Sequence, residues 1–260
     1  MNTISKVRTV AGVFLIALSA MIIANIVRYN LPPFLRRNNI NIPGFFKKED
    51  EIPARLTELL ERNPEPEDFV TSYPEEKGKI HNIDLSAEAE QAKEGKVPLL
   101  LQWDKRWGYE RYSGEYAAIS ACGPVVMSMA AIFYFEDDTY TPVYMMEWAT
   151  KHGYSTVGSG SLHSLIYEGG QKLGMAIQEI GTAAPPYYLV DGNPVICLMG
   201  PGDFTTTGHF IILTGYSGDP DRPEGTVTLN DPNSLERSGT EYSFDRIKDQ
   251  IKRAWRVMKY

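Results

Sequence analysis

Three residues in the C-terminal part of the chain have the types that nucleophilic catalysis by a thiol requires: Cys122, His209 and Asp231. A cysteine attacks as its thiolate, and it needs a base within hydrogen-bond reach. The base in turn needs a third group that holds the imidazole in one orientation. Each residue also has an ordinary structural interpretation: a small buried hydrophobe, a core histidine and a turn residue before Pro232. Their combination is more specific than any one of them.

The surroundings of Cys122 predict a helix that begins at the thiol. The residue is followed directly by Gly123 and Pro124, and an apolar run then continues through Phe135. Proline suits the first turn of a helix, where its missing N–H costs nothing. A thiol at this helix end lies among unpaired N–H groups and at the positive end of the dipole, which favour the thiolate.

Two β-rich runs, Gly208–Tyr216 and Thr226–Asp231, flank a turn that is rich in Gly, Pro and Asp. If they pair antiparallel about the centre of the turn, Asp231 faces Ile211 and lies diagonally across from His209. Both side chains then share one face of the hairpin. The register therefore predicts that a carboxylate–imidazole hydrogen bond can form.

The remaining elements predict an α+β fold, with helices first and an antiparallel sheet afterwards. Val97–Gln102 is predicted as a short strand that opens the domain. Helices are predicted from Pro142 to Trp148 and from Leu162 to Leu173. The strands of the sheet are predicted at four places: residues 195–199, 209–216, 226–230 and 254–258.

Three sequence blocks together resemble the signature of family 39-like cysteine peptidases, which are papain-fold relatives of the bacteriocin-processing peptidases. The blocks are Ala121–Pro124, Gly208–Tyr216 and Asn230–Pro232, and the opening at Val97 is similar as well. The resemblance covers about residues 95–258. It implies a papain-like fold and a peptide or protein substrate, with Cys122 as nucleophile, His209 as base and Asp231 as orienting residue.

Papain-type enzymes also place a glutamine about six residues before the cysteine, where its amide stabilises the oxyanion. Here that position holds Tyr116. Gln102 is the candidate replacement, with the backbone N–H of Cys122 as the second donor. Gln102 could equally be an ordinary polar residue at the end of a strand.

The expected activity is hydrolysis of peptide bonds by a cysteine peptidase, and two alternatives stay open. The same residues could carry out amide hydrolysis or acyl transfer on cell-wall peptide. The fold could also serve as an inactive binding module, which Tyr116 in the glutamine position favours. His163 is either a residue of the substrate cleft or a helix-surface residue.

Composition excludes several other classes of protein. The formal net charge is −7 over 260 residues, and no basic face appears in the C-terminal part, so we expect no nucleic-acid partner. Two cysteines far apart and scattered histidines predict no zinc site, and no phosphate-binding loop is present. We therefore expect no cofactor. Cys197 lies in a short apolar run and is interpreted as structural.

The N-terminal part predicts membrane attachment. Thr9–Val27 is almost wholly apolar or small and can just span a bilayer as a helix. Lys6 and Arg8 precede it, as they would before a signal anchor. The chain is thus divided into a tail (1–8), an uncleaved anchor (9–27), a stalk and approach segment with short helices (28–94) and a peptidase domain (95–260).

Orientation in the membrane is predicted by two rules that disagree. Basic residues after the span outnumber those before it, which by the positive-inside rule would place the large domain in the cytoplasm. A single N-terminal span followed by a large domain usually behaves as a signal anchor with that domain outside. We expect the catalytic domain on the extracellular side of the cell membrane, with the basic run lying on anionic headgroups.

Overall fold

The computed structural model describes residues 51–222 and 224–259. The predicted anchor at 9–27 lies outside these residues. Among the described residues, no helix combines the length and the apolar character that crossing a membrane requires.

The described part of the chain begins with helices and short hairpins and ends mainly with strands. Between residues 51 and 93 there are four helices: α1 (Ala54–Arg62), α2 (Glu67–Thr71), α3 (Tyr73–Glu76) and α4 (Ser86–Lys93). Next come strands β1 (Arg111–Tyr112) and β2 (Glu115–Tyr116), helices α5 (Ala117–Ser120), α6 (Cys122–Phe135) and α7 (Pro142–Lys151), and strands β3 (Ser155–Thr156) and β4 (Gly160–Ser161). A π-helical turn at Leu165–Gly169 leads into α8 (Gly170–Leu173).

A six-stranded antiparallel sheet forms the second half. Its strands are β5 (Ile177–Ile180), β6 (Val195–Met199), β7 (His209–Ser217), β8 (Thr226–Asn230), β9 (Tyr242–Ser243) and β10 (Ile251–Val257), in the spatial order β5-β10-β6-β7-β8-β9. Helices α9 (Pro185–Leu189), α10 (Leu235–Ser238) and α11 (Phe244–Ile247) connect them, with a 3₁₀ turn at Lys248–Gln250. The predicted α+β class, with helices and an antiparallel sheet, is confirmed.

Helix α6 is the centre of the main hydrophobic core. Residues 123–133 of this helix are buried, including Val126, Met129 and Ile132. They pack with residues from the sheet such as Phe210 and Trp255. A helix that is apolar on all sides requires burial on all sides. Packing with Phe210 places α6 next to strand β7.

The segment before residue 94 packs on the rest of the described chain. Leu56 and Phe69 form a cluster with Tyr116 and Ala118, which lie just before α6. Ala92 of α4 belongs to the main core around α6. The division of the chain at residue 94 stays a prediction.

Several predicted elements differ from those in the structure. Residues 97–102 form no strand, because their polar groups bond elsewhere: Leu100 N–H donates to Met129 Sδ and Gln102 N–H to Pro232 O. The helix predicted over 162–173 is a π-helical turn followed by the short α8. The last strand begins at Ile251 rather than Ala254.

Candidate active site

Cys122 is the first residue of helix α6 and remains partly exposed, whereas the eleven residues after it are buried. Burial raises the pKa of its thiol, but a hydrogen bond and the charge of His209 outweigh that effect. The backbone N–H groups of Phe210 and Gly123 also stabilise the sulfur, so the pKa of Cys122 is lowered overall. Cys122 is therefore a partly exposed residue whose thiol ionises more readily than an ordinary cysteine.

His209 begins strand β7 and is only 7% exposed. Its Nε2 lies 2.7 Å from Oδ1 of Asp231, which is fully buried. Because Nε2 is engaged by the carboxylate, Nδ1 is the ring nitrogen that remains for the sulfur of Cys122. The sequence predicted that Cys122, His209 and Asp231 lie together. In the structure, His209 interacts with the sulfur of Cys122 on one side and with Asp231 on the other.

The hairpin register explains how the imidazole and carboxylate meet. Ile212 pairs with Asn230 and Leu213 with Leu229, which is the register predicted from the sequence. A bulge between Leu213 and Gly215 shifts the pairing only nearer the turn, away from the site. Asp231 therefore follows the end of β8 on the same side as His209.

The charges of the three groups support one another. Burial lowers the pKa of His209, but the Asp231 carboxylate and Cys122 outweigh it and raise the pKa to about 10. Burial raises the pKa of Asp231, but His209 and then Arg237 outweigh it and lower the pKa. The interactions among the three groups thus favour their charged forms, a thiolate, an imidazolium and a carboxylate.

Arg237 is a site residue that sequence reasoning missed. Its Nε lies 2.6 Å from Oδ2 of Asp231, and the backbone N–H of Asn233 donates to Oδ1 at 2.8 Å. Arg237 sits in the short helix α10, whose start is capped by the hydroxyl of Ser234. The only sequence signal for this contact is the spacing of Asp231 and Arg237 around a helix-capping serine.

Gln102 is buried beside the helix that precedes Cys122. Its Nε2 donates to Ala118 O at 2.6 Å and makes a longer contact of 3.3 Å with Asn233 Oδ1. Within the described residues, its Oε1 has no hydrogen-bond partner. The amide nitrogen has two protons, so the one directed at Asn233 is the more weakly held.

Tyr116, which occupies the position where a glutamine is expected, has a packing role. Its hydroxyl donates to the hydroxyl of Tyr73 at 3.1 Å, and its ring lies under the guanidinium of Arg111. The ring belongs to the cluster that holds the segment before residue 94. An oxyanion donor would therefore have to come from another residue.

A cavity of about 400 Å³ opens beside the start of α6 and is lined by Thr156, Ser159, Ser161, Leu162, His163 and Ser164. Ser161 adjoins Gly123, because a Cβ built on that glycine would lie 2.6 Å from Ser161 Oγ. His163 is exposed and its ring contacts that of Phe210. His163 thus lines this cavity and is exposed, and a role in binding substrate stays a prediction.

Cys197 lies in the centre of β6 and is fully buried. Burial raises the pKa of its thiol, so this cysteine stays protonated and unreactive. In the described part of the chain, no group of three or more His, Cys, Asp or Glu side chains could hold a metal ion.

A thiol, an imidazole and a buried carboxylate thus lie next to one another at the start of α6. Comparison with known proteins identifies the family. The model of the Peptidase C39 like family matches residues 94–260, which is more than half of the chain. The chain therefore belongs to the Peptidase C39 like family and carries a C39-like cysteine peptidase domain. The resemblance of the three sequence blocks is confirmed.

One similar solved structure is the peptidase domain of Streptococcus ComA, described as a bi-functional ABC transporter involved in a quorum sensing pathway. It shares 18% identity with a TM-score of 0.43, and the match covers 63% of this chain and 99% of that one. No conclusion about function follows from so distant a likeness. No curated protein matches the sequence.

Proposed function

We propose that the protein is a cysteine peptidase that hydrolyses peptide bonds with Cys122 as nucleophile, His209 as base and Asp231 as orienting residue. The observation that carries the proposal is the continuous contact from the Cys122 sulfur through the His209 ring to the buried Asp231 carboxylate. A partly exposed thiol beside a cleft is where a substrate carbonyl could approach.

The first half of the reaction forms a covalent acyl-enzyme. His209 holds the proton of Cys122, and the thiolate attacks the carbonyl carbon of the scissile peptide. Negative charge develops on the carbonyl oxygen, where the N–H of Cys122 and an N–H of Gln102 donate to it. The C–N bond then breaks as the imidazolium gives its proton to the leaving amine.

The second half restores the enzyme. Neutral His209 takes a proton from water, which attacks the thioester carbon. The C–S bond breaks, the thiolate departs and the carboxylic acid is released. Asp231 stays ionised throughout, because it stabilises the imidazolium each time that it forms.

To donate to the oxyanion, the side-chain amide of Gln102 must give up one of its two present acceptors. The proton directed at Asn233 Oδ1 makes only a 3.3 Å contact, whereas the bond to Ala118 O is short. A substrate oxyanion is a stronger acceptor than an amide oxygen. We propose that the oxyanion replaces Asn233 as partner while the bond to Ala118 keeps the amide in place.

The inactive-module alternative has one supporting observation, since the amide nitrogen of Gln102 already has two acceptors. Incubation of the full chain with a fluorogenic peptide library separates the two functions. The proposal predicts hydrolysis by the wild type and none by Cys122→Ala. Cys197→Ala is the matched control, because that thiol lies buried in the sheet and should be dispensable. Absence of any released fluorophore with the wild type would favour the binding module.

We also propose that residues 9–27 anchor the chain in the cell membrane, with the catalytic domain outside. The support is the apolar sequence of that segment and the preceding Lys6 and Arg8. Protease treatment of intact cells tests the orientation. The proposal predicts that an epitope at the C-terminus is digested, whereas a cytoplasmic domain would be protected.

A further inference from the structure

A segment that lies outside the family match binds the chain just after the buried Asp231. The family match begins at residue 94, but Asn63 and Glu65 both contact the chain just after Asp231. Asn63 Nδ2 donates to Asn233 O at 2.7 Å. The Glu65 carboxylate accepts from Leu235 N–H at 2.6 Å, from Glu236 N–H at 3.2 Å and from the hydroxyl of Ser234.

Glu65 binds the start of helix α10, and two residues of this helix contact Asp231 directly. Arg237 donates to Oδ2 of the carboxylate at 2.6 Å, and the Ser238 hydroxyl accepts from the Asp231 N–H at 2.9 Å. The helix has only four residues, so it has little stability of its own. Its position therefore depends on the contacts made at its ends.

A buried carboxylate is stable as an anion only while each oxygen keeps its partners. Oδ1 of Asp231 accepts from His209 and Asn233, and Oδ2 accepts from Arg237. Loss of the Arg237 contact would leave Oδ2 without a donor in a fully buried place. The carboxylate would then turn or take up a proton, and either change weakens its hold on His209.

We propose that Glu65 and Arg237 are positioning residues for the Asp231–His209 pair, and that the segment around Glu65 is a working part of the peptidase. The inference rests on the proposed function. Glu65 touches neither substrate nor reacting atoms. It acts through α10, which fixes Arg237, which in turn fixes the carboxylate.

In Glu65→Ala, the direction in which the pKa of Cys122 shifts separates a loss of positioning from a simple charge effect. Loss of a nearby negative charge, taken alone, lowers the pKa of a thiol. Loss of positioning raises the pKa of Cys122, because a loosened Asp231 no longer supports the imidazolium beside the sulfur. The titratable and charged groups that face these residues are Tyr112 near Cys122, and Arg237 and Tyr242 near Asp231. None of them is altered in Glu65→Ala.

The test is the pH dependence of iodoacetamide labelling at Cys122 in the full chain, read from the mass of its peptide. Glu65→Ala should move the midpoint upward by about 0.5 pH units or more, and this variant decides between the two effects. Arg237→Gln should also move it upward, but there the loss of a positive charge acts in the same direction as the loss of positioning. Glu65→Gln keeps one acceptor oxygen and should shift less. Glu67→Ala, an exposed glutamate of the same segment, is the matched control and should behave as the wild type.

Turnover of a cleaved library peptide gives a second readout. Glu65→Ala should lower kcat about fivefold or more with KM nearly unchanged, since the cleft is untouched. An unchanged or lowered labelling midpoint in folded Glu65→Ala would overturn the positioning role while leaving the proposed function standing. A wild-type midpoint equal to that of an ordinary thiol would instead refute the proposed function, and the positioning role with it.

Discussion

The Nε2 atom of His209 lies 2.7 Å from Oδ1 of Asp231, and this single hydrogen bond determines which ring nitrogen faces the thiol of Cys122. The carboxylate has no exposure to solvent, so water does not compete for the bond. The same contact raises the pKa of His209 and lowers that of Asp231. Orientation and charge at the site thus depend on one pair of residues.

Asp231→Asn should reduce kcat by about 10²-fold to 10⁴-fold while leaving a measurable residual rate. An amide preserves the shape but not the charge, so the imidazolium loses its partner and the pKa of His209 falls. Peptide hydrolysis by purified variants measures the effect. Asp245→Asn changes an exposed aspartate of α11 and serves as the control. A wild-type rate in Asp231→Asn would remove Asp231 from the mechanism.

Gln102→Ala should lower kcat by about 10²-fold to 10³-fold but leave the alkylation rate of Cys122 nearly unchanged. The amide acts on the oxyanion of a substrate, and alkylation by iodoacetamide forms none. Parallel measurement of hydrolysis and alkylation therefore isolates this role. Gln171→Ala, at an exposed position, is the control. Equal loss in both assays would show that Gln102 supports the thiolate or the fold instead.

Gly123→Ala should destabilise the protein by about 1–3 kcal/mol and impair activity. The added Cβ would lie 2.6 Å from Oγ and 2.9 Å from Cβ of Ser161, so that strand β4 must move. Movement of Ser161 also breaks its 2.6 Å hydrogen bond to the hydroxyl of Tyr112. Thermal unfolding measures the change, and Gly181→Ala, whose added Cβ meets nothing within 4 Å, is the control.

Gly123→Ala tests whether close packing against Ser161 is the reason for glycine at position 123. A Tm equal to that of Gly181→Ala would mean that the glycine after the cysteine is not required by the closeness of Ser161. The proposed reason for glycine at that position would then be wrong.

The pH profile of kcat/KM should be bell-shaped. The pKa of Cys122 is lowered from 9, so the thiolate is already present below that pH. The pKa of His209 is raised from 6.5 to about 10, so the imidazolium persists well above neutrality. Activity should rise as Cys122 ionises and fall as His209 loses its proton. A profile that only begins to rise near pH 9 would contradict the lowered pKa of the thiol.

Local patterns predicted the parts of the site that depend on neighbouring residues. Gly123 and Pro124 before an apolar run predicted the helix that begins at Cys122. Period-two alternation and a turn predicted the register that aligns His209 with Asp231. These predictions succeeded because each depends on one helix or one hairpin.

Contacts between distant segments could not be predicted in this way. Gln102 bonds to Ala118 and approaches Asn233, and Arg237 reaches Asp231 from a helix of only four residues. No periodicity in the sequence specifies such contacts. The predicted strand at 97–102 failed for the same reason, since its backbone groups bond to a methionine sulfur and a loop carbonyl instead of a neighbouring strand.

The most direct test of the central claim is the pH dependence of iodoacetamide labelling at Cys122 in the wild-type protein and in His209→Ala. The buried Cys197, whose pKa is raised, provides an internal reference in the same sample. A thiolate–imidazolium pair at the site should give rapid labelling of Cys122 at mildly acidic pH, with a midpoint well below 9, and His209→Ala should lose that reactivity. If the pH dependence of Cys122 labelling were that of an ordinary thiol in both proteins, activation of Cys122 by His209 would be contradicted.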